Sequence, residues 1–179
     1  MVNPCLRKRI VSRAFIISDP HFDHNNIIKF SGDYRSGDTS REHDEWLIKQ
    51  WNSVVTKRDM VWVLGDIFFS KDLEYFDYCF NSLLGEKKLV MGNHDQLKTE
   101  QYLRHFNKIY GIVRYRQTWL SHAPVHPLQL RGMKNCHGHV HHKTIEDDNY
   151  INCCVEACNG VPIPFDDILD GSYSTGDLK

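Results

Sequence analysis

The fold is set by a stretch near the start of the chain, Ala14-Phe15-Ile16-Ile17-Ser18-Asp19-Pro20-His21, in which an apolar run ends on side chains that can bind a metal ion. The same arrangement recurs four more times. The later apolar runs lead into Gly65-Asp66, Gly92-Asn93-His94-Asp95, His122, and Gly138-His139-Val140-His141. Near-continuous apolar runs of this length are typical of strands that are buried on both faces. The pattern therefore predicts a sheet in which polar residues follow successive strands.

Helical patterns separate the early strands. Thr39-Ser40-Arg41-Glu42 has the form of a capping box, and apolar residues follow it at helical spacing from Leu47 to Val55. A second helix is predicted from about Asp72 to Leu84, with Gly85 as its end. A third and weaker helical pattern covers roughly residues 96–106.

The second half of the chain is richer in strands. Ile109–Val113 and Gln117–Ser121 are predicted to pair as a hairpin. Helices and strands that alternate first, followed by a region in which strands dominate, favour an α/β layered domain. We expect a single domain over residues 1–179, with its core at about 14–170 and flexible termini, because the last ten residues are small and polar.

The charge and composition of the chain argue against several classes of function. The formal net charge of the 179 residues is −1, so we expect no strong general affinity for nucleic acid and no attraction to an anionic membrane. No apolar run approaches the roughly 18 residues that a membrane span needs. The basic residues Arg7, Lys8 and Arg9 are not followed by the long apolar stretch of a signal peptide. We therefore expect a cytoplasmic protein whose six cysteines are reduced, buried and inert.

The polar residues that follow the strands are expected to converge. In open α/β sheets, ligands bind beyond the carboxyl ends of the strands, so side chains that are far apart in sequence can meet at one edge. Carboxylate, amide oxygen and imidazole are donors that suit Mn, Fe, Zn or Ni better than a thiolate site would. Gly65, Gly92 and Gly138 each precede a proposed ligand, where the lack of a Cβ permits close approach of the backbone.

Taken in order, the five blocks resemble the signature of the calcineurin-like metallophosphoesterase superfamily. That signature is Asp-x-His, Gly-Asp, Gly-Asn-His-Asp/Glu, a lone His and Gly-His-x-His, and all five blocks lie here between roughly residues 14 and 142. The resemblance to the compact single-domain members implies a layered sandwich of two mixed β-sheets flanked by helices. It also implies a hydrolase of phosphoric esters.

The resemblance further implies a role for each residue of the five blocks. One metal ion would be held by Asp19, His21, Asp66 and His141. A second would be held by Asp66, Asn93, His122 and His139, so that Asp66 bridges the two ions. His94 would face the substrate as the group that protonates or stabilises the leaving alkoxide, and Asp95 would orient it.

Two divalent metal ions per chain, with Mn, Fe, Ni, Zn or Mg as candidates, would activate a water molecule that attacks phosphorus. The compact members favour a phosphodiester, nucleotide-like or small and including cyclic nucleotides, over a monoester. Phosphomonoester hydrolysis at the same site remains an alternative. The rival class is a zinc-stabilised binding module built on Cys136, His137, His139 and the cysteines at 153, 154 and 158, but its spacing lacks the regularity of structural zinc sites.

The contacts with the substrate stay open at the level of the sequence. His24 either is solvated beside a turn capped by Asp23 or reaches the pocket and touches the phosphate. Several basic residues either grip the substrate or are plain surface charges: Arg35, Arg41, Lys71, His126 and Arg131. His137 and His142 are expected to be solvated or to support the neighbouring ligands.

Overall fold

The computed structural model describes residues 12–173, so the basic residues near the N-terminus and the C-terminal end of the predicted frayed tail lie outside the described range. The described part contains nine strands, β1 to β9 in chain order: Ala14–Ile17, Met60–Val63, Glu86–Val90, Phe106–Tyr110, Ile112–Tyr115, Thr118–Ser121, Lys134–His137, Tyr150–Asn152 and Ile163–Pro164. It contains seven helices, α1 to α7: Asn25–Ser31, Ser40–Val54, Leu73–Ser82, Thr99–Tyr102, Pro127–Leu130, Val155–Cys158 and Phe165–Asp170.

The strands form two mixed sheets. The first has the order β4-β3-β2-β1-β9, in which β1 to β4 run parallel and β9 is antiparallel to β1. The second has the order β5-β6-β7-β8, in which β5 and β6 are antiparallel and the other pairs are parallel. Two mixed sheets flanked by helices are the predicted fold class, which is thereby confirmed.

Successive side chains of β1 point to opposite faces of the first sheet, and both faces are covered. Phe15 and Ile17 pack into one apolar cluster together with helix residues such as Leu47 and Phe76. Ile16 points the other way, into a second cluster that contains residues of the second sheet, for example Leu120. Successive side chains of a strand point to opposite faces, so an unbroken apolar run is what a strand between two cores requires.

The two stronger helix predictions are confirmed, with small differences at the ends. The side chain of Thr39 accepts a hydrogen bond from the Glu42 backbone N–H at 3.3 Å, and the Glu42 carboxylate accepts one from the Thr39 N–H, so the capping box is present. Asp72 caps α3, as its side chain accepts from the N–H of Tyr75. This helix ends at Ser82, two residues before the predicted end.

The predicted helix over residues 96–106 is largely wrong. Only one turn, α4, forms there, and Phe106 begins strand β4 at the edge of the first sheet. Tyr102 and Phe106 are both buried in the core, and their spacing of four imitates a helical period although they belong to two elements. Pairing with β3 outweighs the local pattern, because burial and ladder hydrogen bonds can override weak propensity.

The predicted hairpin forms, but its bounds differ. Ile109 lies in β4 of the first sheet, and the hairpin consists of β5 and β6 in the second sheet. Arg116 and Gln117 form its turn with positive φ angles of 46° and 60°. Two central residues with positive φ are characteristic of tight hairpin turns, whose twist matches that of the strands. Among residues 12–173, no helix is long and apolar enough to cross a membrane.

Candidate metal centre

The seven predicted metal ligands all lie just beyond the carboxyl ends of strands. They are Asp19 and His21 after β1, Asp66 after β2, Asn93 after β3, His122 after β6, and His139 and His141 after β7. Both sheets contribute, so the edge at which these strands end is shared between them. The structure therefore brings together residues that span more than a hundred positions of the sequence.

The carboxylate of Asp66 lies between two histidines from different strands. Its Oδ2 atom is 3.4 Å from Nε2 of His122 and 3.9 Å from Nε2 of His21. The Oδ1 atom of Asp19 lies 3.6 Å from the same nitrogen of His21. Oxygen and nitrogen atoms that lie this close together can share one cation. Asp66 is placed where it can serve two neighbouring sites.

Asn93 and His139 complete the side of the cluster around His122. The Oδ1 atom of Asn93 is 2.9 Å from Nε2 of His122, and Nδ1 of His139 is 3.2 Å from the same nitrogen. The Asn93 and His139 residues are exposed, whereas His122 is buried. This side of the cluster is therefore open to an incoming substrate.

Hydrogen bonds outside the cluster fix which ring nitrogens face it. Nδ1 of His122 lies 2.8 Å from the carbonyl oxygen of Leu64, which can only accept, so this nitrogen carries the proton. Nδ1 of His141 lies 3.1 Å from Oε1 of Glu156. Such partners orient an imidazole and leave Nε2 free to bind a metal ion.

Two buried polar atoms in the cluster show that a cation would fit there. Oδ1 of Asp19 and Nε2 of His21 are buried and have no hydrogen-bond partner among the described residues. Leaving a buried polar group unpartnered costs free energy, so a ligand of this pair is expected. Asp19, His21 and His141 form one group whose donor atoms lie within 4.8 Å of one another, and Asp19, Asp66 and His122 form another. The oxygen and nitrogen donors fit a divalent cation.

The backbone of the cluster is strained. Positive φ angles between 51° and 71° occur at five of the seven predicted ligands: Asp19, His21, Asp66, His139 and His141. For residues with a Cβ, this conformation costs about 1–2 kcal/mol each. Strain of this kind is found where a structure must aim side chains at one point, so it supports the view that these five residues act together.

Glycines allow the loops to pass close to the carboxylates, as the sequence analysis expected. A Cβ at Gly138 would lie 2.1 Å from Oδ2 of Asp19, and a Cβ at Gly92 would lie 2.2 Å from Oδ1 of Asp66. Neither carboxylate can move without loss of its place in the cluster. Glycine is therefore required at both positions.

The charges of the cluster shift the pKa values of its members. Burial alone would lower the pKa of His122, but the hydrogen bond with Asp66 and the charge of Asp19 raise it to about 9. For Asp19, burial alone would raise the pKa, but His21 and His122 lower it below its usual value.

Asp95 holds the loops of the cluster together. Its carboxylate accepts hydrogen bonds from the backbone N–H groups of Gly92 at 2.7 Å, Ile67 at 2.9 Å and Asp66 at 3.1 Å. Burial raises the pKa of this carboxyl despite these bonds. Among the described residues, no hydrogen bond joins the side chains of Asp95 and His94, so the predicted orientation of His94 by Asp95 stays a prediction.

Arg35 is buried, which corrects the expectation that it grips the substrate or lies on the surface. Its guanidinium donates to the carbonyl oxygen of Asp19 at 2.8 Å and to that of Pro20 at 3.1 Å, and pairs with Glu156 at 2.8 Å. Glu156 in turn holds His141. The role of Glu156 could not be predicted from the sequence, because nothing local marks a partner that lies 121 positions away.

The candidate substrate contacts divide into two groups. His24 and His94 line a cavity of about 630 Å³ that adjoins His21, His139 and His141. The other basic candidates do not line it. Arg41 lies over the ring of Tyr75 at 3.1 Å, and His126 is an exposed residue that caps α5, where its Nδ1 accepts from the N–H of Leu128. Lys71 and Arg131 are also absent from the described lining.

His24 reaches the pocket rather than bulk solvent. Its ring stacks on Phe69 at 4.1 Å, and its Nδ1 lies 3.0 Å from Nδ1 of His21. Burial and the neighbouring charges of His21 and Arg35 lower its pKa to about 4. His24 is therefore a neutral imidazole at physiological pH.

The cysteines do not form a metal site in the described part of the chain. Cys136 and Cys153 are buried in the core between the sheets, and neither group of residues whose atoms could hold a cation includes a cysteine. Burial raises the pKa of the Cys153 thiol well above its usual value, so it stays protonated. His137 is buried against the carbonyl oxygen of Gly138 rather than solvated, whereas His142 is exposed and stacks on Tyr34.

Comparisons with known proteins show what the chain is similar to. A family model described as calcineurin-like phosphoesterase matches residues 12–157. An uncharacterized protein of Methanocaldococcus jannaschii is 31% identical over 169 residues, which cover 88% of this chain and 89% of that protein. The gene 66 protein of Mycobacterium phage L5 is 36% identical over 87 residues, which cover 48% of this chain and 41% of that protein.

A solved structure extends the likeness to three dimensions. A protein of unknown function from Aquifex aeolicus has a TM-score of 0.72 and 25% sequence identity, over 91% of this chain and 100% of that chain. The likeness covers nearly all of this chain and shows that the two proteins share a fold.

Proposed function

The chain belongs to the calcineurin-like phosphoesterase family, whose members are metal-dependent hydrolases of phosphoric ester bonds, and we propose that it hydrolyses phosphodiesters with two divalent cations. One observation carries the proposal. Oδ2 of Asp66 lies between Nε2 of His21 and Nε2 of His122, at 3.9 Å and 3.4 Å, as a carboxylate that bridges two ions requires.

The proposed ligand sets follow from the contacts of the cluster. One cation is held by Asp19, His21, Asp66 and His141, and the other by Asp66, Asn93, His122 and His139. The unpartnered atoms of Asp19 and His21 support the first set. The convergence of Asn93 and His139 on His122 supports the second. Manganese is the proposed ion, because the mixture of oxygen and imidazole donors suits it, and Fe, Ni, Zn and Mg are alternatives.

When bound, the cations supply an activated water molecule as nucleophile and neutralise charge on the phosphoryl oxygens. The side chains of the protein itself hold the reacting groups in place and supply a proton. Asp95 holds the loops that carry Asp66 and His94, and His94 is exposed beside the cavity. From there, its imidazole donates a proton to the departing alkoxide, so that the leaving group departs as an alcohol.

The charges around the cavity favour a diester over a monoester. A phosphomonoester carries an additional negative charge, which needs cationic partners of its own. Arg35 is buried and paired with Glu156, Arg41 lies on Tyr75, and Lys143 is the one lysine or arginine among the described lining residues. A diester of nucleotide-like or small size fits this limited positive charge. Monoester hydrolysis at the same site is the second candidate.

An activity panel tests the proposal. The purified protein is stripped of metal and assayed with Mn²⁺, Ni²⁺, Mg²⁺ or Zn²⁺ on bis(p-nitrophenyl) phosphate, p-nitrophenyl phosphate and 2′,3′-cyclic nucleotides. We expect hydrolysis only when metal is added, with a higher kcat/KM for the diester than for the monoester. An Asp66→Ala variant purified in parallel controls for contaminating phosphatases. A higher kcat/KM for the monoester would contradict the diester assignment, and activity that survives complete chelation would contradict the metal mechanism.

A further inference from the structure

The cavity beside the metal centre has a second wall that hydrolysis itself does not need. Helix α1 contributes Ile27, Phe30 and Ser31 to this wall, and the segment after β7 contributes Val140 and Lys143. On the side of the metal centre, the same cavity is lined by residues such as His94 and His139. The cavity therefore leaves room beside this wall for one organic group of a phosphodiester whose phosphorus lies at the metal centre.

The wall presents aromatic rings to the cavity. Phe69, which also lines the cavity, packs against two imidazoles, with its centroid 4.3 Å from that of His21 and 4.1 Å from that of His24. Phe30 is 73% exposed although it is a large apolar residue. An exposed phenyl ring at the rim of a cavity has no packing role within the fold, and it offers a face on which a planar group can stack.

The polar groups of the wall argue against a simple alkyl chain as its occupant. Lys143 and Ser31 stand among the apolar lining residues, and within residues 12–173 no lining residue is an aspartate or a glutamate. His142 lines the same cavity and is itself stacked on Tyr34, with an interplanar angle of 4°. Aromatic faces combined with a few hydrogen-bonding groups and no negative charge suit a heterocyclic base with its sugar.

We propose that this wall is a nucleoside subsite: Phe30 and Ile27 receive the base of a nucleotide diester, and the scissile phosphodiester faces the metal centre. The proposal rests on the proposed function and narrows its substrate class. The volume of about 630 Å³ falls within the usual range for sites that bind small organic ligands.

Two phosphodiesters with the same leaving group isolate the contribution of the nucleoside. Thymidine 5′-(p-nitrophenyl phosphate) and methyl p-nitrophenyl phosphate both carry one negative charge. In each, water adds to phosphorus and p-nitrophenolate departs, which leaves thymidine 5′-monophosphate or methyl phosphate. We expect kcat/KM with Mn²⁺ to be at least about tenfold higher for the thymidine ester, because stacking on an aromatic side chain stabilises a bound base.

Two variants locate the effect. Phe30→Ala should bring the ratio of the two kcat/KM values close to one, and it should fold because the side chain is mostly exposed. Leu128→Ala is the matched control, since Leu128 is 83% exposed and does not line the cavity, and it should leave the ratio unchanged. By calorimetry, thymidine 5′-monophosphate should bind the Mn²⁺-loaded protein about tenfold more tightly than methyl phosphate does, and Phe30→Ala should remove the difference.

The failures of the two proposals can be distinguished. Equal kcat/KM values for the two esters in the unmodified protein would overturn the nucleoside subsite and leave the phosphodiesterase assignment intact. An equal loss on both esters in Phe30→Ala would overturn the subsite as well, because the ring would then support the centre in general. Absence of hydrolysis of both esters with every metal would overturn the proposed function and, with it, this inference.

Discussion

At the scale of single residues, the centre depends on side chains that are costly for the fold to hold. Asp19, His21 and Asp66 all have positive φ, and the first two carry buried atoms without a partner among the described residues. A fold tolerates this strain where the surrounding structure fixes the conformation. Here Arg35 fixes the backbone carbonyl of Asp19, and Asp95 fixes the backbone N–H of Asp66.

Two substitutions separate metal binding from proton donation. On a 2′,3′-cyclic nucleotide, whose leaving group is an alkoxide, His94→Ala should lower kcat by about 10²–10⁴-fold and leave metal content nearly unchanged, because His94 lines the cavity but is not a proposed ligand. Asp66→Ala should lose both activity and metal, because both proposed sites share this carboxylate. Metal analysis by mass spectrometry, together with steady-state kinetics, measures both effects. Equal metal content and equal residual activity in the two variants would show that this division of roles is wrong.

At the scale of elements, the strands position the centre. Hydrogen bonds in the loops between helices and strands fix these elements relative to one another. Asp59, in the loop between α2 and β2, accepts hydrogen bonds from the backbone N–H groups of Arg13 and Thr56 at 3.0 Å and 2.8 Å. It also pairs with the Arg13 side chain at 3.1 Å. Burial opposes ionisation of Asp59, but these bonds lower its pKa to about 2.

The lowered pKa predicts how stability depends on pH. A carboxyl with a pKa of about 2 when folded and about 3.9 when unfolded stabilises the fold above pH 4, and this contribution is lost as the pH falls through 4 towards 2. Asp59→Asn should therefore reduce the free energy of unfolding by about 2 kcal/mol at pH 7, and the difference from the unmodified protein should shrink at pH 3. Urea unfolding of both proteins at both pH values, in the presence of chelator, measures this difference in the free energy of unfolding. A difference of equal size at pH 7 and pH 3 would rule out ionisation as the cause.

Local patterns were enough to predict some elements and not others. The strands that precede Asp19, Asp66 and Asn93 could be predicted because each is a continuous apolar run that ends at a polar residue. Helix α1 could not, because Asn25–Ser31 is short and only two of its residues, Ile27 and Ser31, are buried. The single turn α4 and strand β4 were read as one helix because core contacts of two elements happened to fall at helical spacing.

The sequence could also not reveal the support behind the centre. Arg35 and Glu156 lie 121 positions apart, and neither has a neighbour in sequence that marks it as buried. Glu156 lies in α6, where the N–H of Val155 donates to the carbonyl oxygen of Ser18, and Arg35 reaches the same loop from the segment between α1 and α2. A glycine before a ligand indicates that the backbone passes close to another group, so a close approach at Gly138 could be predicted. That the group it approaches is Asp19 could not be predicted.

At the scale of the whole molecule, two apolar clusters on opposite faces of the first sheet form the core, and neither contains a proposed metal ligand. The chelated protein should therefore remain folded, and added Mn²⁺ should raise Tm because the ion binds only the native state. Circular dichroism with EDTA, followed by thermal melts with and without Mn²⁺, tests this. Unfolding on chelation would instead support a zinc-stabilised binding module.

The single-domain organisation over residues 1–179 and the cytoplasmic location stay predictions from the sequence. What the whole chain shows is its family and its fold: the family model covers residues 12–157, and the two mixed sheets meet at the edge where the seven residues converge. Membership makes the chain a hydrolase of phosphoric esters. The choice between a diester and a monoester depends on the charges that line the cavity.

The measurement that tests the account most directly is an anomalous diffraction experiment on crystals soaked in Mn²⁺. We predict two peaks about 3.5–4 Å apart, with the carboxylate of Asp66 bound to both ions. Asp19, His21 and His141 should bind one ion, and Asn93, His122 and His139 the other. Ions bound elsewhere in the molecule, with Asp66 in contact with none of them, would contradict the account.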